Sequence, residues 1–282
     1  MTERGFWVYA VAGQYAGEDL SGLDGVGDGR VRVIGAAGLA VLASDVDLAE
    51  FGAEALRRNL EDLDWLERVA WAHHHVIDAA ARLLPLLPMR LATVYASEGT
   101  AAAAFTERAA ELRDALAQVR GRAEWGVKAY ARPAREVSAR DKPAPAGAES
   151  GTAESGTGGT GTGGTGPGGA GAGSGAGTAY LKRRRDQLSA QRDTQRDAVA
   201  SARAVHSALA GHAALSRLHP PQSAQLSGDR APMLLNASYL LDAGDGTAFT
   251  SVLEAAASTH PDLRLELTGP WPPYSFAGGD AQ

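Results

Sequence analysis

A low-complexity stretch divides this chain in two. From Gly151 to Thr178, half of the residues are glycine, and most of the rest are Thr, Ala and Ser. Such a segment cannot bury enough apolar surface to offset the entropy of ordering it. Any fold must therefore be built from what lies on either side. With Lys142-Pro143-Ala144-Pro145 leading into it, a flexible, disordered linker is expected over 138–178. Folded units are then expected at 1–137 and 179–282.

Both units have material for a core. Apolar residues make up 44% of the 282 residues, but aromatics only 6%, so alanine and leucine must do much of the packing. There are no cysteines, which removes disulfides, thiolate zinc sites and a cysteine nucleophile. The net charge of −6 argues against a general nucleic-acid binder. Residues 1–20 lack a basic start followed by an apolar run, and no apolar stretch approaches the ~18–20 residues of a membrane helix. The expectation is a soluble, cytoplasmic protein.

The first unit reads as mixed α/β. Phe6 to Ala12 is expected as a buried strand, with Phe6, Val8 and Ala10 on one face and Trp7, Tyr9 and Val11 on the other. Val31–Ile34 and Leu39–Leu42, separated by Gly35–Gly38, read as a hairpin. Asn59 is a plausible N-cap for a helix whose first turn holds Glu61, Asp62 and Asp64. Its stripe is Leu66, Val69, Ala70, His73, Val76, Ile77, Ala80 and Leu84, and Pro85 and Pro88 end it. Met89–Tyr95 reads as a strand. Ser97 caps a further helix, with Phe105, Ala109, Leu112, Leu116 and Val119 along one face and Gly121 at its end. Glu124 to Ala131 is a last strand. Strands interleaved with helices suggest an elaborated ferredoxin-like sandwich.

After the linker, Tyr180 to about Leu218 reads as one long charged helix, polar in its first half and apolar at Ala198, Ala202, Val205 and Leu209. Strands are expected at Met233–Leu241 and Leu263–Leu267, with a helix at Thr247–Ala257. Two strands do not make a stable sheet, so this unit must borrow strands from the first or lean on its helices. The overall expectation is α+β: two small α/β units, the second with a long helix and few strands. The chain then closes on Gly269-Pro270-Trp271-Pro272-Pro273-Tyr274-Ser275-Phe276. Proline rigidity and three aromatics in one stretch require packing. Folding back onto the strand-poor second unit is the expectation.

Chemical motifs are sparse. His73, His74 and His75 point about 100° apart on a helix and cannot share one ion, so no metal site is expected. No phosphate-binding loop and no Gly-x-Ser-x-Gly element are present. Nothing assembles a nucleophile, a base and an orienting group, so no catalytic residue and no cofactor are expected. Two rivals stand beside the non-enzyme reading. One is a small-molecule enzyme using His73 as acid/base and Arg90 as anion binder, which demands a pocket holding both. The other is an RNA-binding module using Lys182-Arg183-Arg184-Arg185.

Seven pieces, in order, carry a resemblance. They are Trp7-Val8-Tyr9-Ala10-Val11; Leu63-Asp64-Trp65-Leu66 leading to His73 and Val76; Leu87-Pro88-Met89-Arg90-Leu91-Ala92-Thr93-Val94-Tyr95; Glu124-Trp125-Gly126-Val127-Lys128; Tyr180-Leu181; Leu234–Leu241; and Thr268–Phe276. Together they resemble the gas vesicle protein GvpF/GvpL family. Met89 and Leu91 beside Arg90, and the length of the Gly/Thr-rich insertion, depart from that family's pattern. The resemblance implies two α/β units, the N-terminal one a modified ferredoxin-like fold. It also implies an accessory role in gas vesicle assembly, with the small hydrophobic shell protein and other accessory proteins as partners, and neither nucleic acid nor membrane. Localisation would be the cytoplasm or the vesicle itself. Arg90, Trp125, Lys128, Trp271, Tyr274 and Phe276 match its motifs and are the candidates for partner binding or fold support. For Trp125 and Trp271 packing is the favoured role.

Overall fold

The first strand sets the architecture. The computed structural model describes residues 3–13, 17, 20, 22–132, 173–222 and 231–277. In it β1 (Arg4–Ala12) has buried residues almost throughout and lies inside an antiparallel sheet. Its neighbours are β3 (Leu39–Asp47) on one side, and β4 (Leu86–Pro88) and β5 (Val94–Tyr95) on the other, with β2 (Val31–Ala36) beyond β3. A register shift between Val8 and Ala10 breaks the expected alternation of faces. Tyr9 and Ala10 therefore join Trp7 in one core, while Val8 and Val11 face the other. The expected hairpin is present. Its two-residue turn places Ala37 at φ 48 and Gly38 at φ 76, the left-handed pair that matches strand twist.

Helices cover both faces of this sheet. On the Trp7 face lie α1 (Leu48–Phe51), α2 (Ala53–Asn59) and α3 (Leu63–Ala81). The predicted stripe of α3 is buried at Val69, His73, Val76, Ile77 and Ala80. Its cap is Asp62, which accepts from Asp64 N and Trp65 N. Asn59 instead ends α2 and donates its side-chain amide to the Glu50 carbonyl. On the other face lie α4 (Glu98–Glu107) and α5 (Ala109–Val119), expected as one helix and separated at Arg108. Ser97 caps α4 in a capping box with Thr100. The strand expected over Met89–Tyr95 is split. Ala92 has φ 64, and Thr93 N donates to the Arg90 carbonyl, so 90–93 is a turn between β4 and β5.

The second sheet is not confined to one side of the Gly-rich segment. Its order is β7-β8-β6-β9, from β6 (Arg122–Ala131), β7 (Leu215–Leu218), β8 (Met233–Asp242) and β9 (Leu263–Trp271). The unit expected at 179–282 thus borrows a central strand from ahead of residue 138, which resolves its shortage of strands. The helix expected to run to Leu218 is α6 (Gly173–Ala210). It begins within the expected linker and ends at Gly211, where the chain turns into β7. With α7 (Gly246–Thr259) the sequence is β6-α6-β7-β8-α7-β9, antiparallel throughout. This is the β-α-β-β-α-β order of a ferredoxin-like sandwich. The N-terminal sheet, where that order was expected, is also layered with helices but follows β2-β3-β1-β4. The Gly/Thr-rich stretch falls in the β6–α6 crossover, and up to residue 172 it lies outside the described residues.

Helices α6 and α7 cover one face of the second sheet, burying Ala198, Ala202, Val205, Leu209, Phe249 and Leu253 against Val127, Leu235, Tyr239 and Leu241. At ~1.5–3 kcal/mol for each fully buried large apolar side chain, this cluster is a substantial core by itself. The opposite face turns toward the first unit. Leu240 and Phe276 are buried in the same cluster as Leu112, Leu116 and Val119 of α5.

Candidate functional site

Where β9 leaves β6, the ladder slips. Glu124 pairs with Trp271 and Gly126 with Thr268, so Gly269 and Pro270 together oppose Trp125. Glycine is required at 269: φ is 113, and a Cβ there would lie 2.8 Å from the Glu124 carbonyl oxygen. The bulge turns the end of the strand outward. Trp271 stands 51% exposed, and the two prolines that follow carry the chain into a 3-10 turn at Tyr274–Phe276.

That turn joins the two sheets. Ser275 donates from its backbone N to Glu124 Oε2 at 2.7 Å and from its hydroxyl to Glu124 Oε1 at 2.5 Å. Glu124 is buried on β6, so its carboxylate needs such donors. Ser238 Oγ of β8 lies 2.9 Å from both Ser275 Oγ and His219 Nε2. Tyr274 reaches the other way. Its hydroxyl is 2.6 Å from His74 Nδ1 on α3, and the two rings meet edge to face at 5.3 Å. Burial pushes the Tyr274 hydroxyl pKa upward, with the nearby Asp78 and Glu124 carboxylates adding to it. Phe276 is buried between the sheets. The tail therefore packs on both units, not on the second alone as expected.

Behind Tyr274 lies a closed polar cluster. Trp7 Nε1 donates to His73 Nδ1 at 2.9 Å, which leaves His73 Nε2 to donate to the Met89 carbonyl at 3.2 Å. His73 is fully buried and stacks on Tyr9. Burial lowers its pKa from 6.5 to about 4, with the charge of neighbouring His74 adding to the effect. The imidazole is a neutral structural bridge between β1, α3 and the 89–93 turn. Tyr9 accepts a hydrogen bond from Val26 N and shares another with Ser44, and burial raises its pKa to about 12. The three histidines diverge: His75 stacks on the exposed Trp71 and His74 meets Tyr274.

Between the units a groove of about 690 Å³ opens beside the tail. Its floor and walls come from the end of α3, the Leu84–Leu86 segment, the start of β6 and Pro270–Pro273. Leu83 and Trp271, each about half exposed, face water at this groove. Arg82, Arg122 and Asp78 supply its polar groups, and Arg122 is held by Asp242 at 2.7 Å.

The six motif residues are thus dispersed. Trp271 lines the groove, Tyr274 and Phe276 form the inter-sheet turn, and Trp125 packs beside Phe249 on the far face of β6. Lys128 donates to Gln222, and Arg90 is exposed on its turn. Trp271, for which packing was favoured, is half exposed instead. Leu83 and His219 were not singled out from sequence, and His74 and Ser275 were named only as members of the histidine run and of the tail. A lone His such as His219 carries no spacing signal, the contacts of His74 and Ser275 are long-range, and Leu83 lies next to the α3 stripe and reads as part of it.

Comparison with known proteins follows the same outline. A profile described as Gas vesicle synthesis protein GvpL/GvpF matches residues 5–278. Gas vesicle protein L of Streptomyces sp. (strain CB03234) is 34% identical over 280 residues, covering 98% of this chain and 94% of its own length. Two crystal structures of gas vesicle protein GvpF share the fold at 17% identity. That from Anabaena sp. PCC7120 has a TM-score of 0.63, with 98% of this chain and 97% of its own covered. That from Microcystis aeruginosa has a TM-score of 0.61, with 98% and 99% covered.

Proposed function

The chain belongs to the GvpL/GvpF family of gas vesicle synthesis proteins, and from that premise we propose that it assists gas vesicle assembly by holding the hydrophobic shell protein in the groove beside its tail. The observation that carries this reading is the pair Leu83 and Trp271, half exposed at a groove walled by leucine and proline. Large apolar side chains in a concave surface, with a few charges at its rim, suit capture of an apolar segment. A shell subunit with apolar surface aggregates unless that surface is covered, and a groove of this kind covers it without chemistry. The same role accounts for a stiff tail. Prolines 270, 272 and 273 hold Trp271 in place, so little order has to be gained on binding.

The enzyme reading requires an accessible histidine beside Arg90. His73 is instead enclosed, with both ring nitrogens engaged. No helix among the described residues is long and apolar enough to cross a membrane, which accords with association with the vesicle through a protein surface.

Co-expression with the shell protein tests the proposal. The wild-type chain is expected to raise the soluble fraction of shell protein and to co-purify with it. Leu83→Asp/Trp271→Asp is expected to lose both effects while keeping its melting temperature within a few degrees. Equal shell-protein recovery with wild type and variant refutes the groove as the binding surface.

A further inference from the structure

Helix α6 is longer than the sheet it covers. Its buried residues begin at Ala198, and every side chain from Tyr180 through Asp197 is exposed. Those eighteen residues project about 27 Å at the usual helical rise. They are not uniformly polar. Tyr180 and Leu181 are 65% and 66% exposed, and Leu188 is 40% exposed.

The apolar positions continue the packed seam. Leu209 and Ala202, buried against the second sheet, are seven residues apart, and the same step leads back through Gln195 to Leu188 and Leu181. A seven-residue repeat marks the contact line of one helix along another. With Leu181 and Leu188 at position a of the heptad, Arg184 falls at d and Arg185 and Arg192 at e, beside the seam. Asp186 and Asp193 fall at f, on the far side. The pairs Arg185–Asp186 at 3.9 Å and Arg196–Asp193 at 3.5 Å are exposed and leave the flank of the seam basic.

We infer that the projecting half of α6 docks an acidic amphipathic helix of another protein, with Leu181 and Leu188 as its apolar anchors and Arg184, Arg185 and Arg192 as its charge readers. A second copy of this chain does not fit. In a parallel pair Arg184 would face Arg184, and in an antiparallel pair the Arg185 and Arg192 flanks would face each other, both repulsive. A helix with leucine along its seam and glutamate beside it meets Leu181 and Leu188 with apolar contact, and its flanking glutamates lie within reach of Arg185, Arg192 and the long Arg184 side chain. The inference does not rest on the groove beside the tail, since the two surfaces share no residue.

The test uses the full chain and a fluorescent synthetic helix of ~21 residues, three heptads with Leu at a and d and Glu at e and g. A control peptide carries Lys at e and g. Fluorescence anisotropy is expected to show the Glu peptide binding at least ~10-fold more tightly than the Lys peptide, a difference of about 1.4 kcal/mol. Leu181→Asp/Leu188→Asp is expected to abolish binding, and Arg184→Glu/Arg185→Glu/Arg192→Glu to reverse the preference. All five positions are exposed, so melting temperatures are expected to match wild type. Absent binding, or equal binding of the two peptides, overturns the inference. So does tight binding of a single-stranded RNA that is lost in the arginine variant yet unchanged in the leucine variant. Sedimentation showing a dimer dissolved by the leucine variant overturns it in favour of self-association.

Discussion

The enclosed His73 makes stability depend on pH in a definite direction. In the folded chain its pKa lies at about 4, against 6.5 for the free group. Below pH 6.5 the unfolded chain takes up a proton that the folded chain refuses. The folded state therefore loses stability as pH falls from about 6.5 toward 4, and the full contribution is present above 6.5. The whole displacement corresponds to about 3 kcal/mol, of which about 2 kcal/mol is lost between pH 7.5 and pH 5. Other groups titrate in this range, so the measurement must be differential. In His73→Gln the side chain can still accept from Trp7 Nε1 and donate to the Met89 carbonyl, but it cannot titrate. Urea unfolding of both proteins at pH 7.5, 6.5, 5.5 and 5 gives the comparison. The variant is expected to be less stable at pH 7.5, and the gap is expected to shrink by about 2 kcal/mol by pH 5. A gap that stays constant across the series refutes the assignment of His73 as a neutral buried bridge.

Three further outcomes follow from the packing. Phe276→Ala empties a site shared by Leu240 and α5; a loss of about 3–5 kcal/mol is expected by chemical denaturation, with both sheets destabilised together. Glu124→Ala leaves Ser275 N without its acceptor; a loss of about 1–3 kcal/mol is expected, and proteolysis at the tail should speed up. Ala37→Asn suits the left-handed turn between β2 and β3 and is expected to raise stability by up to about 1 kcal/mol in thermal unfolding.

Much of the fold was legible because it rests on local periodicity. The stripe of α3, the Ser97 cap and the β2–β3 hairpin follow from spacing within a dozen residues. What was missed is non-local or depends on a single displaced residue. The bulge in β1 moves Ala10 to the Trp7 face without any Gly or Pro to announce it. β7 carries Leu-Ser-Arg-Leu directly after a long helix and continues its charged pattern closely enough to be read as the same element. The topology of the second sheet requires pairing of Trp125 with Tyr239 and of Val127 with Leu267 across the low-complexity stretch, and no local pattern encodes that. At the site, the aromatic-proline tail was visible as a segment in need of a packing surface. Its partners Glu124 and His74 were not, because their roles exist only once α3 and β6 have been brought to the same place.

The placement of β6 has a consequence for synthesis on the ribosome. β6 is made before the long insertion, yet both of its hydrogen-bonding edges are filled by β8 and β9, and its Glu124 waits for Ser275, 151 positions later. A nascent chain that has released only the first sheet carries a bare strand with two open edges, the kind of surface that invites wrong pairing. Completion of the second sheet is thus a threading of the late strands onto an early one, and a turn translated after all of those strands is the one that latches the two sheets. The same arrangement lets the chain be divided in the β6–α6 crossover: a piece ending after β6 holds one strand of the second sheet and a piece beginning at α6 holds the other three, and neither completes the sheet without the other.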